Sequence, residues 1–265
     1  MIELLFIFLL ALCWGSFINA VGYRLVHQIQ TLRSRSFCPF CKHTLAWYDL
    51  IPVLSYIVLR GKCRSCAKPI SWLYPFIELC MGIIAVLLYI TVEPQFLVAY
   101  AIFFSMLLVS VRTDLEAFLV FRRTTLAIIP FGFVAAFMNM LPITLVESIL
   151  GALFGYGILW LTAKIFYLIK KQEGLGLGDL DIMALIGAFT GAQGVWCALS
   201  IGGISGLIYA SITYALLHLK HKKISYASFR TIKIPFVPFL ALGALIYVLF
   251  FHYFTELFIP LVSNF

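Results

Sequence analysis

Two aspartates and four cysteines are the residues of this chain best suited to chemistry. Asp179 follows a glycine-rich run, Gly174-Leu175-Gly176-Leu177-Gly178-Asp179-Leu180-Asp181, and Asp114 lies 65 residues earlier, each beside an apolar stretch. Two carboxylates that face each other share one proton, because like charges a few ångströms apart cannot both ionise. The ionised member activates a water; the protonated one polarises a carbonyl and then protonates the leaving amine. That pair of tasks is peptide-bond hydrolysis without a metal or a covalent intermediate. Each acid has a rival two residues on, Glu116 for Asp114 and Asp181 for Asp179. On a helix such neighbours point about 200° apart, so at most one of each couple faces a shared cleft. Gly176 and Gly178 let backbone approach an extended substrate closely, which favours Asp179, and Asp114 is nearer its apolar stretch than Glu116. The plainer alternative is a polar surface loop in which Asp179 caps the next helix.

The cysteines form two close couples, Cys38-Pro39-Phe40-Cys41 and Cys63-Arg64-Ser65-Cys66, with 21 residues between them. Two such knuckles predict a four-cysteine zinc site, and Lys42, Lys62 and Arg64 offset its negative charge. Four protein ligands close the coordination sphere, so the role expected of the metal is structural. Disulfides are the alternative, which a reducing cytoplasmic loop disfavours. Cys13, Cys80 and Cys197 stand singly in apolar stretches and are expected to pack. Among the histidines only His218 and His221 have ligand-like spacing, and they sit beside lysines at the end of a span. No H-E-x-x-H occurs. The glycine run lacks both the third glycine of a dinucleotide fingerprint and the Lys-Ser or Lys-Thr of a phosphate loop.

These residues must be held by membrane helices. The chain has 265 residues, 63% hydrophobic and only 11% charged, against roughly 25% charged in soluble domains. Spans of about 20 apolar residues are expected near 2–23, 73–92, 95–111, 124–142, 146–169, 181–191, 195–218 and 234–255. The first is too long for a signal peptide and has no basic leading region. All 19 Lys and Arg fall in or beside the loops 24–72, 112–123, 170–180 and 219–233, whereas Glu3, Glu93, Glu147 and Glu256 mark the opposite side. This asymmetry predicts that the basic loops face the cytoplasm, and it puts Asp114, Asp179 and Asp181 at that face. The net charge of +8 is accounted for by these loops, so no nucleic-acid partner is expected. The expected fold is an all-α polytopic membrane protein of about eight helices. Residues 1–23 are its first helix, 24–72 a zinc-stapled cytoplasmic loop, and 73–265 the peptidase core.

The residues together resemble the type IV prepilin peptidases of bacterial inner membranes. The likeness runs nearly end to end. It comprises Gly15-Ser16-Phe17-Ile18-Asn19, Tyr23-Arg24-Leu25, both cysteine couples, Ile51-Pro52-Val53-Leu54-Ser55, Tyr74-Pro75-x-x-Glu78, Gly176-Leu177-Gly178-Asp179 and Ile234-Pro235-Phe236-x-Pro238. The resemblance implies an aspartic endopeptidase that cuts basic leaders from prepilins and pseudopilins after a glycine. It implies further that the new N-terminal residue is methylated from S-adenosylmethionine. It places the catalytic pair at Asp114 and Asp179 and the zinc ligands at Cys38, Cys41, Cys63 and Cys66. Asp49, Glu116, Glu173 or lipid headgroups could meet the basic leader.

Three departures from the family's pattern stand out. The family usually has Lys where Asp181 stands, often Pro-Asp or Pro-Asn where Phe121-Arg122 stands, and Asn before Ile51-Pro52, where this chain has Asp49-Leu50. Asp181 is therefore expected to add an anion beside the catalytic pair. Two other readings remain at this stage: a degenerate member acting as an assembly factor, and a transporter coupling cations through its carboxylates.

Overall fold

The computed structural model describes residues 1–29, 35–172, 176–220 and 234–250. Glu173, Gly174, Leu175, His221, His252 and the far end of the last expected span lie outside them. The described chain is helical, and its only β pairing is two isolated bridges in the cysteine loop. Among the described residues, five helical segments are long and apolar enough to cross a membrane. The chain divides into two compact units, Met1–Leu119 and Val120–Phe265.

The N-terminal unit is built on α1 (Ile2–Val26), α3 (Leu73–Thr91) and α4 (Leu97–Ala117), with a short α2 (Leu54–Val58) in the connection between α1 and α3. Small residues let α1 approach its neighbours. A Cβ on Gly15 would stand 2.9 Å from the Glu78 Cα, and one on Gly22 would stand 2.8 Å from the Arg112 Cγ. Asn19 joins all three helices: its amide donates to the Tyr74 carbonyl at 2.9 Å, and its carbonyl accepts from Arg112 Nε at 3.1 Å. Residues such as Phe6, Leu10 and Phe17 remain exposed on α1, as suits a surface facing lipid. The structure extends the third expected span. Arg112 belongs to α4 and is almost wholly buried, not a loop charge as its position near the span's end suggested. The helix runs on because Asn19 and Glu116 satisfy the guanidinium inside the unit.

The C-terminal unit comprises α5 (Arg122–Phe137), α6 (Leu145–Lys170), α7 (Leu177–Lys220) and α8 (Val237–Leu249). A capping box at Thr144 and Glu147 starts α6. The sixth and seventh expected spans appear as one helical run broken at Gly191, whose φ of 68° and ψ of −173° suit only a residue without a Cβ. Residues 181–190, before the break, are buried without exception. With little hydrophobic drive between helices in lipid, close packing of small residues holds them together. A Cβ on Gly187 would meet the Gly151 carbonyl oxygen on α6, and Ser148 Oγ donates to the Ala188 carbonyl at 2.5 Å. Gly187→Ala should therefore lower the unfolding temperature in detergent, costing about 1–3 kcal/mol or more as an overpacked core. Gly203→Ala, with nothing within 4 Å of the new Cβ, is the control. Equal melting of the two variants would count against tight α6–α7 packing.

Candidate functional site

The cysteine loop is two copies of one turn. Cys38 N–H donates to the His43 carbonyl and Lys42 N–H to the Cys38 carbonyl; Cys63 N–H donates to Lys68 and Ala67 N–H to Cys63 in the same way. Lys42 and Ala67, each directly after a second cysteine, close the turns with positive φ of 58° and 57°. The four Sγ atoms lie within 4.8 Å of one another. Zinc–sulfur bonds of about 2.3 Å in a tetrahedron separate the sulfurs by about 3.8 Å, and Cys38 Sγ lies 3.8 Å from Cys66 Sγ. The donor set thus fits a tetrahedral thiophilic metal. Burial pushes the Cys38 thiol up, but the amides of Cys41 and Phe40 and the Cys63 and Cys41 thiols outweigh it and bring the group down to about 7. At Cys66 the Lys68 amide lowers the thiol, but burial and the three other sulfurs raise it to about 11. The first thiolate forms readily and the last needs a cation beside it. Around the cluster, Lys42 and Lys68 stack on Phe37 and Phe40, while Arg64 pairs with Asp49 at 2.9 Å.

The two expected catalytic acids stand in different units. Asp114 is buried in the last turn of α4 at 7% exposure. Its carbonyl accepts from Phe118 N–H, and Phe118 turns left-handed to end the helix. Asp179 is half-buried in the first turn of α7, and its N–H donates to the Gly176 carbonyl at 3.1 Å. Both rivals are held by cations. Glu116 accepts from Arg112 Nη1 at 2.5 Å and lies 3.3 Å from His27 Nε2. Asp181 is buried at 1% exposure, with Arg122 Nε 3.4 Å from its Oδ2 and, among the described residues, no hydrogen bond to either carboxylate oxygen. Of the possible leader partners, Asp49 and Glu116 are thus committed to arginines inside the protein.

The Arg122 contact amends one expectation. Asp181 was expected to add an anion beside the catalytic pair; Arg122, another departure from the family's pattern, stands against that anion. The neighbouring residues dock too: a Cβ on Gly178 would stand 2.5 Å from the Val120 Cβ. The start of α5 therefore braces the turn that carries Asp179. Because Arg122 is 59% exposed, solvent screens the pair, and a double-mutant cycle of Arg122→Gln and Asp181→Asn should show coupling of about 1 kcal/mol. The exchanged variant, Arg122→Asp with Asp181→Arg, should recover stability lost in either single charge change. Strict additivity would deny the pair any role.

Sequence reasoning assigned no role to Arg112, Asn19 or Tyr74, and met Glu78 only as part of a motif. In the structure these residues line or support a cavity of about 520 Å³ within the N-terminal unit. The signal available was the polarity of Asn19, Glu78 and Arg112 in or beside apolar spans, where such groups are costly and usually functional.

A polytopic helical protein with a four-cysteine loop and a Gly-x-Gly-Asp turn at a helix start defines a class of membrane hydrolase. The comparisons give its family. The bacterial peptidase A24 N-terminal domain matches residues 9–92, and the type IV leader peptidase family matches residues 101–211. A prepilin leader peptidase/N-methyltransferase of Aeromonas hydrophila is 30% identical over 270 residues, covering 92% of this chain and 89% of that protein. One from Bacillus subtilis (strain 168) is 30% identical, with 94% of each chain covered, and one from Klebsiella pneumoniae is 34% identical over 71% of this chain and 85% of its own. No solved structure matches. The chain belongs to the type IV leader peptidase family.

Proposed function

We propose that this protein is a prepilin peptidase and N-methyltransferase of the bacterial inner membrane. It removes the basic leader of prepilins and pseudopilins after a glycine at the cytoplasmic face, then methylates the exposed N-terminal residue. The observation that carries this reading is the likeness to enzymes of that name along nearly the whole length of both chains. Asp114 and Asp179 are the catalytic pair in this reading. The commitment of Glu116 to Arg112 and of Asp181 to Arg122 supports that choice over their rivals. One carboxylate takes a proton from water as it attacks the scissile carbonyl; the other donates to the carbonyl oxygen and afterwards to the leaving amine. Gly176 leaves room for an extended substrate, Gly178 lets Val120 pack against the turn, and the Val120 and Arg122 contacts brace Asp179. Zinc held by Cys38, Cys41, Cys63 and Cys66 staples the loop. S-adenosylmethionine supplies the methyl group.

The test uses purified protein in detergent and a peptide with a basic leader, a Gly-Phe junction and an apolar tail. Cleavage after the glycine is expected, with a product heavier by one methyl group when S-adenosylmethionine is present. A folded, zinc-loaded protein that cleaves none of several prepilin sequences would favour a binding or assembly role.

A further inference from the structure

The connection between α1 and α3 carries a cluster of exposed apolar side chains, the kind of surface that marks an interaction site. Trp47, Leu54, Ile57 and Val58 are all exposed, Ile57 by 64% and Val58 by 67%. The last three belong to a run, residues 50–59, without a single charge. Asp49, the acid just before it, is taken by Arg64 at 2.9 Å. An apolar run of about ten residues is either a buried core segment or one that dips into a membrane surface. Helix α2, within this run, has two faces. Ser55 and Tyr56 line the cavity of the N-terminal unit, whereas Leu54, Ile57 and Val58 lie outside that lining and are exposed. Core packing accounts for the first face only.

One hydrogen bond sets the level of the second face. Val53 N–H donates to Glu78 Oε2 at 2.8 Å. Glu78 is buried and lies in the second turn of α3, about 7 Å along the helix from Leu73. On α1 the same level is Gly15, where a Cβ would stand 2.9 Å from the Glu78 Cα. Gly15 is about 16 Å along α1 from Val26, the end that enters the loop. The turn before α2 therefore descends beside two membrane helices. Backbone next to lipid needs its polar groups satisfied within the protein, and this turn meets that need. Pro52 has no N–H. Val53 donates to Glu78, Leu54 to the Pro52 carbonyl, Ser55 to Ile51 and Ile57 to Val53. Reversing the chain there strains Val53, whose φ of 60° and ψ of −48° are rare for a β-branched residue and are held by its surroundings.

We propose that α2 and the turn before it are set into the headgroup–acyl boundary of the bilayer, with Leu54, Ile57 and Val58 against lipid. The edges of the segment fit that placement. Trp47 precedes it, Trp72 stands exposed at the head of α3 with its ring 5.3 Å from Phe76, and the exposed Arg60 and Lys62 follow it. Tryptophans and basic residues are the side chains that favour the headgroup level. Exposed apolar residues continue along α3 at Phe76, Leu79 and Ile83. A protein partner would also cover an apolar face, but the level of Glu78, shared with α1 and α3, favours lipid. The cysteine loop is then anchored twice, by its metal site and by the bilayer, and the α2 wall of the cavity is held at the membrane surface.

The experiment uses the full-length, zinc-loaded protein in nanodiscs of phosphatidylethanolamine and phosphatidylglycerol. A photoreactive benzophenone side chain is placed at Ile57. The same probe at Phe17, exposed on α1, gives the lipid reference, and at Thr44, exposed beside the first cysteine turn, the water reference. After irradiation, mass spectrometry should find phospholipid at position 57 with a yield like that at position 17 and about tenfold above position 44, as an interfacial segment requires. Should the probe at position 57 unfold the protein, Trp47 decides instead. Lipids brominated in the upper acyl chain should then quench the fluorescence of wild type more than that of Trp47→Phe. A folded protein whose position 57 gives no lipid adduct, or marks a second copy or another segment of the chain in place of lipid, would overturn the insertion. Equal quenching of wild type and Trp47→Phe would do the same.

Discussion

Asp179→Asn is expected to lower leader cleavage by about 10³-fold, within the range of 10²–10⁴ for loss of a positioned acid or base. Asparagine keeps the size of the side chain but can neither ionise nor carry the shuttled proton. Asp114→Asn should cost a similar factor, and the double variant little more than either alone, because residues that act as one unit are not additive. Asp181→Asn is the informative comparison. Asp181 is buried against Arg122 and lies within the helix that Asp179 begins, so its loss should act through position and cost far less. The pH–rate profile of wild type should be bell-shaped, with constants that belong to the pair and not to either acid. Initial rates on a prepilin peptide, with zinc content and melting temperature as checks on folding, make the measurement. Asp179→Asn retaining a tenth of the activity or more would move the catalytic role elsewhere, with Asp181 the first suspect.

Removing the metal should have the second-largest effect, and on the fold more than on the chemistry. Structural zinc in small domains contributes apparent binding energies of about 10–16 kcal/mol, and the loop around these cysteines has little core of its own. Cys38 and Cys63 are buried at the cluster, so Cys63→Ser or a strong chelator should open residues 35–72 to proteolysis while the membrane helices persist. The pH dependence follows from the thiols. Zinc binds thiolates, so its stabilisation is full where they ionise and is lost as pH falls. With Cys38 near 7 and Cys66 near 11 in the metal-free cluster, uptake at neutral pH must expel several protons. Affinity should then drop by more than about tenfold per unit as pH falls through 7. Zinc retention by Cys38→Ser at full stability, or affinity flat between pH 8 and 6, would contradict a four-thiolate site.

Most of what local spacing can encode was legible in the sequence. The two cysteine couples determine their own knuckles, because each turn is closed by hydrogen bonds within seven residues. The apolar runs determine membrane helices, since lipid leaves the backbone no other partner. The interruption after residue 191 was expected from the apolar runs, but that a single non-helical residue, Gly191, makes it inside one helical run came only with the structure. Tertiary structure decided the partnerships of the charges. Arg112 reads as a loop charge until Asn19, 93 positions away, and Glu116 are seen to hold it inside the unit. Asp181 and Arg122 read as separate departures until they meet at 3.4 Å. Glu78 reads as a motif residue until its carboxylate is found buried at the wall of a cavity, held by a strained valine 25 positions before it. The reason is the same each time. A residue's type and its near neighbours set local conformation, but the energy of a buried charge depends on which distant group packs against it, and that is fixed only when the helices close.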